Sequence, residues 1–173
     1  MATELQDSVA LREAVEDDLE AFYEHQADPV ASRMAAFPAR GRSEFESHWR
    51  KILADKAVFK RTILVGEQVA GYVVCFEQAE KKLVGYWLGR SFWGKGVATR
   101  ALSEFLGLVE LRPLHALVAE SNLGSIRVLE KCGFVLSKGV PASGEPPGAS
   151  GDAVGERLYE LTAAPPSRKG KMR

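Results

Sequence analysis

Cysteine, histidine and long apolar runs are all scarce in this chain of 173 residues. The two cysteines, Cys75 and Cys132, lie far apart in neither a CxxC nor a metal-ligand spacing, which argues against a disulfide scaffold or a zinc finger. The three histidines, His25, His48 and His115, are scattered and form no ligand cluster. No apolar run approaches the ~20 residues of a bilayer-spanning helix, and the opening MATELQDSVALREA is acidic where a leader is basic and then apolar. A cytoplasmic protein with no membrane partner is the expectation. An excess of one charge sign is missing too: 23 Lys and Arg against 23 Asp and Glu give no global attraction to nucleic acid. Only the last nine residues, PPSRKGKMR, are locally basic, with four Lys or Arg, and residues 164–173 read as a disordered, solvated tail.

What is present is an ordinary globular composition, 46% hydrophobic and 27% charged, in a chain long enough to fold without staples. Val9 to Glu13 alternates as a strand does, and Asp17 and Asp18 open a helix with Leu19, Phe22, Tyr23 and Gln26 at helical spacing. Ser43 and Glu46 form a capping-box pattern ahead of the stripe Phe45, Trp49, Ile52 and Leu53, which predicts a second helix over Ser43 to Ala54. Val58 to Val65, Val69 to Phe76 and Leu83 to Leu88 then read as an antiparallel meander, the first turn lying at Gly66-Glu67-Gln68.

After a loop from Gly89 to Gly96 the apolar period changes to that of a helix, Val97 to Leu111, stopped by Pro113. Leu114 to Ala119 is a buried strand, Asn122 caps a further helix through Ile126 and Leu129, and Gly133-Phe134 is a left-handed stop. Strands at Phe134 to Ser137 and Glu156 to Leu161 close the order β-α-α-β-β-β-α-β-α-β-β, an α/β mixed sheet with helices on its faces. Between those two strands, 13 of the 17 residues from Gly139 to Gly155 are Gly, Pro, Ser or Ala, the composition of a flexible loop. The expectation is one domain over residues 1–163.

The chemistry is expected at the strand-to-helix loop, where unpaired N–H groups, the helix dipole and two glycines suit an anion. Two phosphate templates match only in part. Gly89-x-x-x-x-Gly94-Lys95 matches most of a P-loop, but Gly96 follows where a hydroxyl should hold Mg²⁺. Gly94-x-Gly96 begins a dinucleotide pattern, but Thr99 occupies the third glycine place and the preceding strand belongs to a meander.

Tyr86-Trp87-Leu88-Gly89, Phe92-Trp93-Gly94-Lys95-Gly96-Val97-Ala98-Thr99 and Asn122-x-x-Ser125-Ile126-Arg127-Val128-Leu129-Glu130-Lys131-Cys132-Gly133-Phe134 together resemble the GNAT superfamily of acyl-CoA-dependent N-acetyltransferases. More narrowly, they resemble the branch that includes enzymes acetylating ribosomal-protein N-termini. The resemblance implies a strand, here Tyr86 to Leu88, that splays from its neighbour so that its backbone pairs with the pantetheine arm of acetyl-CoA. It implies that the pyrophosphate lies over the N–H groups of Trp93 to Ala98, with Lys95 adding charge and Thr99 following in the helix. Trp93 stands where the family's signature usually begins with Arg or Gln. Arg90, Arg127 and Lys131 are candidates for the 3′-phosphate, and no metal is required.

The implied reaction is direct attack of a neutral amine on the thioester, polarised by backbone N–H groups. Asn122 aligns with an Asn that contacts the cofactor or orders a water, and also fits a helix cap; Ser125 is its polar neighbour. The tyrosine that many members carry aligns with Leu129, which cannot donate a proton. Glu120, just before Asn122, is the first candidate for acid or base, followed by Glu77, Tyr86 and His48. Cys132 reads as core rather than nucleophile. The acceptor is expected to be a small-molecule amine or a peptide N-terminus, chosen by Phe22 to Trp49 and Gly139 to Gly155, and monomer and homodimer both fit. Two other readings stay open: a catalytically weak acyl-CoA-binding regulatory domain, suggested by Leu129, and a P-loop-type nucleotide-binding protein, suggested by Gly89 to Lys95.

Overall fold

The computed structural model describes residues 8–137 and 155–163. The segment expected as a flexible loop, apart from Gly155, and the basic tail lie outside them. Seven strands form one mixed sheet: β1 (Val9–Glu13), β2 (Phe59–Val65), β3 (Gln68–Gln78), β4 (Lys81–Leu88), β5 (Leu114–Ala119), β6 (Val135–Leu136) and β7 (Glu156–Leu161). Their spatial order is β1-β2-β3-β4-β5-β7-β6. The first four are antiparallel neighbours, β5 runs parallel to β4, and β7 lies antiparallel between β5 and β6. Five helices cover the faces: α1 (Leu19–Ala27), α2 (Pro29–Met34), α3 (Arg42–Ala54), α4 (Val97–Leu108) and α5 (Leu123–Lys131). None of the helices described is long and apolar enough to cross a membrane.

Four local features depart from the sequence expectation. Residues Glu16–Asp18 form a 3₁₀ turn ahead of α1. The extra helix α2 starts because Asp28 accepts a bond from the Val30 N–H at 3.0 Å and Pro29 presets the first helical φ. Helix α3 begins at Arg42 behind Gly41, so Ser43 sits inside the first turn and makes no capping box. Helix α4 ends at Leu108, three residues before the expected Leu111.

Each face of the sheet carries its own core. On one side α4 and α5 bury Val97, Ala101, Leu102, Phe105, Ile126 and Leu129 against Val73, Val84, Leu114 and Ala116. On the other, α1 and α3 bury Phe22, Phe45 and Trp49. There Trp49 and Tyr72 meet edge to face with centroids 4.6 Å apart, and Phe22 lies 4.9 Å from Trp49, contacts worth about 0.5–1.5 kcal/mol each beyond burial. A polar clamp fixes the start of α1 to the sheet. Buried Asp18 accepts two bonds from Arg12 and one from Thr62 Oγ1, all at 2.7 Å, and a fourth from the Val15 N–H. Burial pushes the Asp18 carboxyl up, but these bonds outweigh it and hold the group below its ordinary pKa.

Candidate active site

Strands β4 and β5 are parallel but share only one ladder position, Leu83 with His115, and then diverge. A cleft of about 410 Å³ opens beyond that point, between the end of β4, the loop into α4 and the start of α5. Gly89 N–H donates to Ala70 in β3, and Leu88 C=O faces the opposite way, where Trp93 Nε1 donates to it at 2.9 Å. Alternation along the strand then turns the amide and carbonyl of Tyr86 to the same open edge. An extended chain laid in the cleft meets unpaired β4 backbone there.

The loop provides the second half of the cradle. Gly94 and Gly96 have φ of +74° and +76°, a region that costs other residues strain, and a Cβ at either would meet nothing within 4 Å. The glycines are thus needed for conformation, not because neighbours crowd them. Gly96 caps α4, so the loop's N–H groups and the positive end of the helix dipole face the cleft mouth. Trp93, Gly94, Gly96, Val97, Ala98 and Thr99 line the wall on this side.

The opposite wall is the first turn of α5. Asn122 caps that helix by accepting from the Ser125 N–H at 3.2 Å, and both residues line the cleft. Ser125 Oγ lies 2.8 Å from the hydroxyl of Tyr86, joining α5 to β4 across the opening. Burial pushes the Tyr86 phenol up to about 12, and the Ser125 bond opposes that shift. Tyr86 therefore stays protonated near neutral pH, and the Tyr86 and Ser125 hydroxyls can offer a hydrogen to a charge developing beside them. Arg127 and Lys131, one turn apart on α5, are the charged residues of the lining. Open backbone, a phosphate cradle, two cations and an apolar wall suit a long, partly apolar, phosphorylated ligand.

Residues 8–135 match the acetyltransferase (GNAT) domain family. The chain belongs to the GNAT acetyltransferases. It is an acetyltransferase by family. Among curated protein sequences no match is found. Solved structures with the same fold include the ribosomal L7/L12 alpha-N-protein acetyltransferase RimL in complex with coenzyme A, at TM-score 0.72 and 19% identity over 91% of this chain and 96% of that one. The aminoglycoside acetyltransferase AAC(6')-Ib in complex with coenzyme A has TM-score 0.71 and 20% identity, over 90% and 95%. A spermidine N-acetyltransferase mutant from Vibrio cholerae has TM-score 0.70 and 18% identity, over 89% and 93%.

Within this GNAT fold, the residues singled out in the sequence separate into two groups. Tyr86, Trp87, Leu88, Trp93, Gly94, Gly96, Val97, Ala98, Thr99, Asn122 and Ser125 all line the cleft. Lys95 is exposed and off the lining, and Arg90 pairs with Asp28 at 2.9 Å instead of facing it. Glu120 is exposed beyond the end of β5, 3.8 Å from Arg157, and does not reach the lining. Glu77 pairs with Lys82 at the end of β4 remote from the glycine loop. Leu129 is packed in the α4–α5 core. Cys132 is half-buried with its thiol pushed up by burial, and Sγ lies 3.6 Å from the Thr99 carbonyl.

Two contacts that shape the site had no local sequence signal. Gly89 lies against His25 of α1, where a Cβ would come within 2.7 Å of the imidazole. Burial lowers the His25 pKa there, opposed by the charge of Glu24. Tyr86 and Ser125 are 39 residues apart and meet only through the sheet.

Proposed function

We propose that the protein transfers the acetyl group of acetyl-CoA to a primary amine of a small molecule or of a peptide N-terminus. The divergence of β4 from β5 directly above the glycine loop carries this reading, because it leaves a backbone edge for pantetheine beside N–H groups for pyrophosphate. Arg127 and Lys131 add positive charge along the α5 wall. The proteins of like fold are, by name, a ribosomal-protein acetyltransferase, an aminoglycoside acetyltransferase and a spermidine acetyltransferase, which supports an amine acceptor without choosing one.

Acetyl-CoA supplies a thioester carbonyl, and in the transfer the C–N bond forms as the C–S bond breaks. Among the described residues no Asp or Glu lines the cleft, and the amine's proton leaves through water or passes to the departing sulfur. The β4 backbone orients the reacting end, Asn122 holds the first turn of α5, and Tyr86 with Ser125 donates a hydrogen bond to the departing sulfur. A phenol pushed up to about 12 favours donating that hydrogen bond over giving up its proton.

A thermal-shift titration with acetyl-CoA, CoA, and ATP with Mg²⁺ tests the first step. Ligand at 100 times its Kd stabilises the native state by about 2.7 kcal/mol, so acetyl-CoA and CoA raise Tm and ATP with Mg²⁺ leaves it unchanged. Stabilisation by ATP with Mg²⁺ alone would overturn the reading. Thiol release on adding amines then follows turnover. Binding without thiol release from any amine would leave only a regulatory binding domain, and reaction confined to protein lysine side chains would overturn the acceptor class.

A further inference from the structure

Trp87 is the wall between the cofactor cleft and a second surface, on the α1–α3 side of the sheet. It pairs in register with Tyr72 of β3, so the two side chains share that face. Phe37, from the segment between α2 and α3, meets Trp87 edge to face at 6.3 Å, and the Arg40 guanidinium lies 5.1 Å from the Phe37 ring centre. The Arg40 charge reaches further. It opposes the burial that pushes the Tyr72 phenol up to about 12, and with burial and Lys51 it lowers the pKa of His48 on α3. Aromatic rings from β3, β4 and the α2–α3 segment thus form an aromatic floor beside Arg40, whose charge acts on Tyr72 and His48.

Two groups on this surface lack partners among the described residues. Arg12, Arg42, Arg50, Arg90 and Arg157 each face a carboxylate, whereas half-buried Arg40 has none and rests on a ring. Trp87 Nε1 is buried with no acceptor, although the same side chain lines the cleft. A buried donor and a half-buried guanidinium with nothing to accept from them are both completed by an oxygen acceptor bearing negative charge. The surroundings disfavour a polycation as well. Among the described residues the cleft lining holds Arg127 and Lys131 but no Asp or Glu.

Resting on the acetyltransferase reading above, we infer that the acceptor is a primary amine that also carries a carboxylate, such as an amino acid or a short acidic peptide, anchored by Arg40 and the Trp87 indole. The amine points at the thioester while the carboxylate stays on the aromatic floor. In the reaction the amine nitrogen bonds to the acetyl carbon, the C–S bond breaks, and the amine's proton ends on the CoA thiol or in solvent. A polyamine or aminoglycoside would set its charge against Arg40, Arg127 and Lys131.

The test compares amines matched except for charge. Thiol release is followed with glycine, γ-aminobutyrate and glutamyl-alanine, each against its amide, and with spermidine as the polycation. The acids are expected to exceed their amides at least tenfold in kcat/KM. Arg40→Gln should erase that preference through KM, with kcat within about twofold, and Arg40→Lys should restore part of it. Calorimetry of the N-acetylated acids into the CoA-saturated protein gives a readout independent of turnover, with Kd expected to rise tenfold or more in Arg40→Gln while CoA affinity is unchanged. Spermidine as the best acceptor, equal rates for acids and amides, or no N-acetyl acid binding would each overturn the inference and leave acetyl transfer intact. If acetyl-CoA itself failed to stabilise the protein, the acetyltransferase reading would fall first.

Discussion

The two sides of β4 offer recognition surfaces of different kinds. On the α4–α5 side the proposed cofactor contacts are mostly backbone: the open edge at Tyr86, the N–H groups between Trp93 and Ala98, and two glycines held at positive φ. On the α1–α3 side the surface is made of side chains, Tyr72, Trp87, Phe37 and Arg40, drawn from separate parts of the chain. Backbone recognition constrains a continuous segment to particular φ values and small residues. Side-chain recognition constrains only the spot in space where a group arrives. One side is therefore written as a local motif, and the proposed acceptor side is free to vary without disturbing it.

The strongest way to break the comparison is to add a single carbon beneath the shared strand. Gly71 of β3 lies so close to β4 that a Cβ there would stand 1.9 Å from the Trp87 carbonyl oxygen, and both partners are backbone. The strands would have to part, and with them the support for both surfaces. Gly71→Ala is expected to cost about 3 kcal/mol or more in urea denaturation, at the upper end for overpacking. A loss under about 0.5 kcal/mol, the size of an ordinary surface change, would show that β4 is not held in place by this approach.

Next in size is a change confined to the backbone side. Gly96 has open space around its Cβ position, so Gly96→Val introduces no clash within the protein but forces a β-branched residue into φ near +76°. Strain and the methyl groups at the phosphate cradle together are expected to weaken acetyl-CoA about 100-fold, close to 2.7 kcal/mol, while KM for the amine moves little. Calorimetry with acetyl-CoA decides. Unchanged affinity would reduce the glycine loop to a turn.

The same division explains what could be read from the sequence. Strands β1, β5 and β7 fall where their apolar patterns place them, and Gly133 at φ +95° ends α5 with the Phe134 N–H returning to Leu129 C=O, as a left-handed stop requires. Helix α2 escaped notice because six residues are too few to show a period, and its start depends on Asp28 and Pro29 alone. Ser43 and Glu46 had the spacing of a cap, but Gly41 lies where the chain turns into the helix. Adjacency to Asn122 singled out Glu120, yet the turn after β5 carries its side chain to Arg157, because neighbours along the backbone at a strand end diverge. The role of Arg40 had no sequence signal. Its meaning comes from Phe37, Trp87 and a missing carboxylate, which only the fold brings into relation.

The smallest expected effect sharpens the comparison by testing one side chain that works on the backbone side. Tyr86 contributes its amide and carbonyl to the open edge whatever its side chain is, and its hydroxyl meets Ser125 at 2.8 Å. Tyr86→Phe removes only the hydroxyl, so the edge and the apolar ring remain. If the hydroxyl donates to the departing sulfur, kcat is expected to fall about tenfold, near 1.4 kcal/mol, with the acetyl-CoA Kd unchanged, since that bond strengthens only as charge develops. Ser125→Ala should cost a similar factor, and the double variant less than the product of the two, because the hydroxyls act as one pair. A Tyr86→Phe enzyme with unaltered kcat and a weaker acetyl-CoA Kd would instead make the hydroxyl a ground-state contact. Side-chain chemistry would then be confined to the α1–α3 side, and the cofactor side would act through its backbone alone.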